Sequence, residues 1–151
     1  MIEIRRAVPE DAGKLTEIAI AAKRHWNYPE RWIQIWIPQL TFKPEDISSS
    51  EIFVAMVDGE MAGFYRLIKN PPCAVLEDLW VAPNFMGRGI GKVLFEHAAS
   101  ICRSANVTAM ELDADPNAQG FYEKMGMHKI GEKKTEVDGQ PRILPVMEIK
   151  L

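Results

Sequence analysis

Cysteine is nearly missing from this chain: Cys73 and Cys102 are the two among 151 residues. Their separation matches no metal-type spacing, so no metal is expected, and they read as a buried pair of free thiols in a reducing compartment. An excess of one charge is missing as well, since the formal net is −3. A chain without a basic surface is poorly matched to a phosphate backbone, so no nucleic-acid partner is expected. No apolar run approaches the ~20 residues that a membrane span needs, which sets aside a membrane role. Met1-Ile2-Glu3-Ile4-Arg5-Arg6 alternates like a strand and lacks the basic-then-apolar order of a secretory leader, so a cytoplasmic protein is the expectation. Repeats, linkers and low-complexity segments are also absent.

What is present fits a soluble globular protein: 47% of the residues are apolar and 26% charged, close to the usual balance. The length suits one domain, 1–151, with a core that needs no staples.

The periodicities divide this length into alternating elements. Ile2, Ile4 and Ala7 start a short strand. Pro9 suits a first helical position, with Glu10 and Asp11 at the positive end of the helix dipole. Ala12, Leu15, Ile18, Ala19, Ala22 and Trp26 then recur at helical spacing, ending near Asn27-Tyr28-Pro29. A second helix carries Trp32, Ile33, Trp36 and Ile37 and is expected to stop near Pro38. Ile52–Val57 and Met61–Ile68 read as strands joined by Asp58-Gly59, a strong hairpin signal. Pro71-Pro72 interrupts, and Val75–Val81 is the next strand. A third helix begins around Arg88–Gly91, followed by a strand over Val107–Leu112. Asp115 can cap a fourth helix with Pro116 at its first position and Gly126 at its end. Met127–Gly131 and Ile143–Ile149 close the chain as strands, with Asp138-Gly139 in the turn between them. The order is βααβββαβαββ, a mixed α/β fold.

The most informative segment is Leu79-Trp80-Val81-Ala82-Pro83-Asn84-Phe85-Met86-Gly87-Arg88-Gly89-Ile90-Gly91-Lys92. A strand runs into three alternate glycines, and these run into an amphipathic helix. Glycines let the backbone approach a ligand closely, and the first amides of a helix are donors without partners, so the segment has the makings of an anion site. Arg88 and Lys92 add cations. The same glycines could also make a tight turn that binds nothing. Two nucleotide motifs fail on spacing: the dinucleotide fingerprint needs glycine where Lys92 stands, and a Walker loop needs glycine at Met86 and Ser or Thr at Val93.

The segment resembles the pyrophosphate loop of the GNAT family of N-acetyltransferases, Gln/Arg-x-x-Gly-x-Gly/Ala, with Met86 in place of the usual Gln or Arg. Asp115-Pro116-Asn117-Ala118-Gln119-Gly120-Phe121-Tyr122-Glu123-Lys124-Met125-Gly126 resembles that family's Asn-x-x-Ala-x-x-x-Tyr helix. The two motifs stand in the family's order over roughly Val75 to Gly131; the N-terminal half is similar only in element order. The resemblance implies an α/β (α+β) fold with a mixed, mostly antiparallel central sheet flanked by about four helices. It also implies an acetyl-CoA-dependent N-acyltransferase. Acetyl-CoA would lie along Leu79, Trp80 and Val81 and over Met86, Gly87, Arg88, Gly89, Ile90 and Gly91. Its amide arm would meet Asn117 or Asp115, and we favour Asn117.

Direct attack of an amine on the thioester needs a neutral amine, a donor for the oxyanion and a proton for the thiolate. By the resemblance, Tyr122 supplies that proton and the Val81 N–H the oxyanion contact. Tyr122 could instead be a packed aromatic. For the base, Glu77 and Asp78 are adjacent carboxylates in an apolar strand, on opposite faces by the period-two rule. Glu77, directly or through water, is the candidate; a salt-bridged or solvent-facing carboxylate is the competing reading. His25 is weaker, as a helix-end surface residue, and Cys102 is expected in the core.

Acceptors in the family meet the first two helices and the later strands. Here that region carries Trp26, Tyr28 and Trp32, an aromatic wall for a small-molecule amine; Trp36 reads as packing. Arg142–Glu148 could line the same side, and Pro145 suggests an edge or interrupted strand, leaving room for a homodimer. A non-catalytic CoA-binding module and a transferase acting on protein amines are the rival readings.

Overall fold

A computed structural model describes residues 1–151. The chain order is β1 (Ile2–Arg6), α1 (Ala12–His25), α2 (Glu30–Leu40), α3 (Pro44–Ser48), β2 (Glu51–Val57), β3 (Glu60–Asn70), β4 (Cys73–Val81), α4 (Ile90–Ser104), β5 (Ala109–Asp113), α5 (Gln119–Lys124), β6 (His128–Val137) and β7 (Gln140–Lys150). The strands form one seven-stranded sheet in the order β1-β2-β3-β4-β5-β7-β6. The pairing of β4 with β5 is parallel, and every other pair is antiparallel. The mixed, mostly antiparallel sheet flanked by helices is the expected one.

Both faces of the sheet are covered, and β3 shows how. Neighbouring residues on a strand point to opposite faces, yet Phe64 and Tyr65 are both fully buried. Phe64 packs edge-on against Phe42, just after α2, with ring centroids 5.2 Å apart. The Tyr65 hydroxyl hydrogen-bonds His97 Nδ1 on α4 at 2.8 Å. So the chain after α2 covers one face and α4 the other. Gly63, which shares a face with Tyr65, lies under α4: a Cβ there would stand 2.6 Å from the Trp80 carbonyl oxygen and 3.2 Å from Leu94. Glycine is required because two strands and a helix meet at that point.

Several local signals act as the residues predict. Asp58-Gly59 and Asp138-Gly139 both turn with positive φ, at 50° and 82° and at 50° and 75°, the geometry of a two-residue hairpin loop. Asp115 caps as expected, its carboxylate accepting from Asn117 N at 2.9 Å.

Other expectations change. Pro38 does not stop α2, which continues to Leu40. Pro38 is exposed, while Trp36 and Leu40 are buried on the inner side and hold the last turn, so tertiary packing outweighs the hydrogen bond that proline removes. The short α3 was not anticipated, although Pro44-Glu45-Asp46 repeats the Pro9-Glu10-Asp11 pattern. In each, the aspartate accepts from the backbone N–H three residues earlier, Lys43 and Val8, at 2.8 Å. Pro145 is not on an edge: β7 lies between β5 and β6, and the sheet's edges are β1 and β6. Ala114 N donates to Pro145 O at 2.8 Å, so the bond that proline cannot return falls just past the last rung of the β5 ladder, Asp113 with Val146. The cysteines do not form a buried pair either; Cys102 is buried and Cys73 exposed.

No helix is long and apolar enough to cross a membrane.

Candidate active site

β4 and β5 part company after a short parallel ladder. Their pairing covers Cys73, Ala74 and Val75 and ends at Val75 opposite Glu111. Just beyond, β4 carries a bulge: Arg66 pairs with Asp78 and Leu67 with Leu76, which leaves Glu77 without a partner. An extra residue of this kind bends and twists its strand. A cavity of about 610 Å³ opens where the strands have separated.

The bulge also corrects an expectation. Glu77 falls at the irregularity, where strict alternation of faces does not apply, and both Glu77 and Asp78 line the cavity. Their circumstances differ. Asp78 accepts from Arg66 Nε at 2.9 Å and from Trp80 Nε1 at 3.1 Å. Glu77 is exposed and makes no hydrogen bond or ion pair within the chain. Of the two, only the Glu77 carboxylate has no partner in the protein.

Past the bulge, the exposed edge of β4 offers backbone groups. Ala82 N donates to Ala62 O at 2.8 Å. In an antiparallel ladder the bonded rungs alternate, so Trp80 turns its N–H and C=O toward β3 while Leu79 and Val81 turn theirs into the gap. Leu79, Trp80 and Val81 all line the cavity.

The glycine loop closes one end. Gly87 and Gly89 both have φ of 79°, and Gly89 caps α4. A side chain at either position would meet only open space, so glycine is there for the backbone and not for packing. From Gly87 through Lys92 no backbone N–H donates to any acceptor in the protein. A row of free amides at the positive end of a long helix is a receptor for phosphate oxygens. Met86, Gly87, Gly89, Ile90 and Gly91 line the cavity and Arg88 does not; its guanidinium sits over the Phe85 ring at 5.2 Å. Gly91 has its own reason, since a Cβ would approach the Phe121 ring to 3.1 Å. The loop and α5 are thereby packed together.

Tyr122 is placed on α5 by this contact, its ring edge-on to Phe121 at 5.1 Å. The residue is 8% exposed and lines the cavity. Its hydroxyl has no hydrogen-bond partner, yet no buried polar atom of the protein is left unsatisfied, so the hydroxyl opens to the cavity. Burial, then the nearby carboxylates of Asp78 and Asp115, push its pKa well above the ordinary phenol value. Around neutral pH the phenol therefore keeps its proton.

Asn117 and Asp115 are both at the cavity. Asp115 is committed elsewhere, as a member of a polar cluster that sequence reasoning did not identify. Its carboxylate accepts from Lys23 Nζ at 2.9 Å and from the Tyr28 hydroxyl at 2.9 Å. Arg142 Nη2 donates to the Tyr28 oxygen at 3.0 Å and stands 3.7 Å from Asp115. Asn117 Nδ2 donates to Tyr28 and to Asp115, each at 3.0 Å, which leaves its amide oxygen unused. Burial works against the Asp115 charge, but Lys23 and the hydrogen bonds win and hold the carboxyl below its ordinary range. Burial, followed by the Asp115 charge, raises Tyr28 to about 12.

The aromatic wall divides. Trp26 lines the cavity, 36% exposed. Tyr28 and Trp32 do not line it; they stack on each other at 5.9 Å, and both meet the buried Trp36 edge-on, at 5.0 and 6.0 Å. Trp36 packs, as expected. His25 is exposed and touches only the Trp26 edge, at 5.7 Å. Cys102 lies in the core, its thiol pKa raised by burial.

The residues present fit acetyl-CoA: free amides for its diphosphate, a strand edge for its amide arm and a phenol opening to the same cavity. Comparisons with known proteins agree. The profile of the Acetyltransferase (GNAT) family matches residues 14–127. The peptidyl-lysine N-acetyltransferase YjaB of Escherichia coli is 32% identical over 144 residues, covering 93% of this chain and 92% of that one. The 5-NmdU N-acetyltransferase of Pseudomonas phage PaMx11 is 29% identical over 135 residues, covering 87% and 91%. Among solved structures, the PaiA N-acetyltransferase of Thermoplasma acidophilum, in complex with coenzyme A, superposes with a TM-score of 0.80 at 25% identity over 100% of this chain and 99% of that chain. Loop, strand gap, phenol and family profile converge: the chain belongs to the GNAT family and is an acetyl-CoA-dependent N-acyltransferase.

Proposed function

We propose that the enzyme transfers the acetyl group to a primary amine of a small molecule by direct attack, with donor and acceptor bound together. The observation that carries this reading is the Tyr122 hydroxyl, protonated, without a partner and open to the cavity between the glycine loop and Trp26. Acetyl-CoA supplies the activated acetyl group. The loop amides from Gly87 to Lys92 hold its diphosphate, and the outward groups of Leu79 and Val81, with the Asn117 amide oxygen, hold its arm. Val81 N–H steadies the negative charge that develops on the carbonyl oxygen. Glu77 takes the proton that the acceptor nitrogen sheds, directly or through water, and Tyr122 gives its proton to the departing sulfur. The acceptor lies between Trp26, just after α1, and Leu144, on β7, both of which line the cavity. The mostly apolar lining of the cavity suits the body of a small amine.

A second reading has one specific support: the relative that is 32% identical is named for peptidyl-lysine. A thiol-release assay separates the two. Polyamines, amino acids, an aminoglycoside and a lysine peptide are offered with acetyl-CoA, and Tyr122→Phe serves as control. Turnover of a small amine, lost in the variant, supports the proposal. Turnover of the peptide alone moves the acceptor to protein, and binding of acetyl-CoA with no turnover of any small amine overturns the small-amine proposal.

A further inference from the structure

The cluster around Asp115 is unbalanced. Lys23 and Arg142 are two cations, and Asp115 is the single carboxylate that meets them. Their side chains are only 11%, 11% and 13% exposed, so water does little to screen the remaining positive charge. The two cations share the Trp36 ring, with Lys23 Nζ 4.2 Å and the Arg142 guanidinium 4.9 Å from its centre. A tryptophan face eases such crowding but carries no charge to cancel it.

Donors are also left over. Arg142 uses Nη2 on the Tyr28 oxygen, and its Nε and Nη1 groups donate to nothing in the protein. Lys23 spends one of its hydrogens on Asp115. The unused Arg142 nitrogens are not sealed in, because no buried polar atom lacks a partner, and Lys23 and Arg142 both line the cavity. Asp115 raises the pKa of Tyr122, which puts the cluster within electrostatic reach of the reacting end of the site. Nη2 carries two hydrogens and gives one to Tyr28, so one edge of the guanidinium, Nη2 with Nη1 or Nη2 with Nε, keeps both donors; beside an ammonium, such an edge can receive a carboxylate through two parallel hydrogen bonds.

We propose that Lys23 and Arg142 form a receptor for a carboxylate on the acceptor, so that the substrate class is an amino acid or a similar amino-carboxylate. The inference rests on the proposed transfer to a small amine and names which amines qualify. Asp115, Tyr28 and Asn117 serve as positioning residues: they fix the two cations and leave the guanidinium edge turned to the cavity.

The test uses matched pairs that differ by the carboxylate alone: phenylalanine and phenylethylamine, tryptophan and tryptamine, lysine and cadaverine. Binding to the CoA-loaded protein is measured by calorimetry, and turnover by thiol release with acetyl-CoA. In at least one pair the carboxylate member is expected to bind about ten-fold more tightly or better, with kcat/KM following. Arg142→Gln should erase the preference, and Arg142→Lys should restore part of it. CoA affinity stays unchanged in both variants, which guards against misfolding, and Lys23→Gln provides a second probe on another element. Equal or weaker binding of the carboxylate member in all three pairs, or of neither member, overturns the proposal. So does a preference retained by Arg142→Gln with CoA still bound. A strong preference for succinyl-CoA over acetyl-CoA, with no discrimination among acceptors, assigns the carboxylate to the donor and also overturns it. Tight carboxylate binding with no turnover leaves the receptor standing and removes the transferase reading instead.

Discussion

Lys23 on α1 donates to the carboxylate of Asp115, in the loop after β5, at 2.9 Å, across 92 positions of sequence. This bond ties the helical layer to the mouth of the gap between β4 and β5. It also occupies Asp115, whose oxygens accept from Lys23, Tyr28 and the Asn117 backbone N–H, while the Asn117 amide oxygen stays unused, in keeping with Asn117 as the proposed contact for the amide arm. Burial lowers the Lys23 pKa against the opposing pull of Asp115, so the ammonium depends on its partner.

Acid titration should expose that partnership. The Asp115 carboxyl is held below its ordinary range, with burial opposing and Lys23 prevailing. A depressed carboxylate contributes its full stability above about pH 4, its unfolded value, and loses it as the pH falls through the lower folded value. Asp11, held down chiefly by its hydrogen bond from Arg5, behaves alike. Urea denaturation between about pH 5 and pH 2.5 should show a steep acid limb that is shallower in Asp115→Asn. Identical slopes would refute the assignment of that limb to Asp115.

Tyr122→Phe removes a hydroxyl that no other group in the protein uses. Folding should be unaffected, and the affinity for acetyl-CoA should change by less than about three-fold. The turnover number should fall by roughly 10²-fold or more, the usual worth of a positioned acid. Because burial and two carboxylates raise the phenol, ionisation of Tyr122 should produce no loss of rate between about pH 7 and pH 9. Full activity in the variant would assign the proton donor elsewhere.

Two glycines should respond differently to alanine. At Gly63 the new Cβ would collide with the Trp80 carbonyl, so β3 and β4 must move; a loss of about 1–3 kcal/mol in unfolding free energy is expected. At Gly89 there is space, but φ is 79°, and the left-handed conformation costs an alanine about 1–2 kcal/mol. The loop can relax, so Gly89→Ala should lose coenzyme A affinity more than thermal stability. Calorimetric titration and thermal melting of both variants make the comparison; a reversed ranking would contradict it.

Tyr28→Phe deletes the oxygen on which Arg142, Asn117 and Asp115 converge. The ring packing on Trp32 and Trp36 survives, and the polar partners are left short. A destabilisation of about 1–3 kcal/mol is expected, in line with buried charged groups that lose a hydrogen-bond partner. Chemical denaturation at neutral pH measures it, and an unchanged midpoint would show that water replaces the hydroxyl at no cost.

Much of this molecule was legible in the residues because the signals are local. The positive-φ glycines of the loop, the Asp-Gly turns and the Asp115 cap each act on a backbone within three or four positions, and each does in the structure what its chemistry requires. The same holds for the phosphate-type amide row, since a glycine-rich loop that enters a helix leaves those donors free wherever it occurs. Tertiary structure decided the rest. Whether Pro38 ends α2 depends on the burial of Trp36 and Leu40, and which of Glu77 and Asp78 is free depends on a bulge that exists only against β3. The cationic cluster draws on α1, on Asp115 and Asn117 after β5, and on Arg142 of β7, with Tyr28 and Arg142 meeting across 114 positions. Composition and spacing state which charges the chain has. Only the packed sheet decides which two cations must share one carboxylate, and low solvation there is what makes the imbalance count.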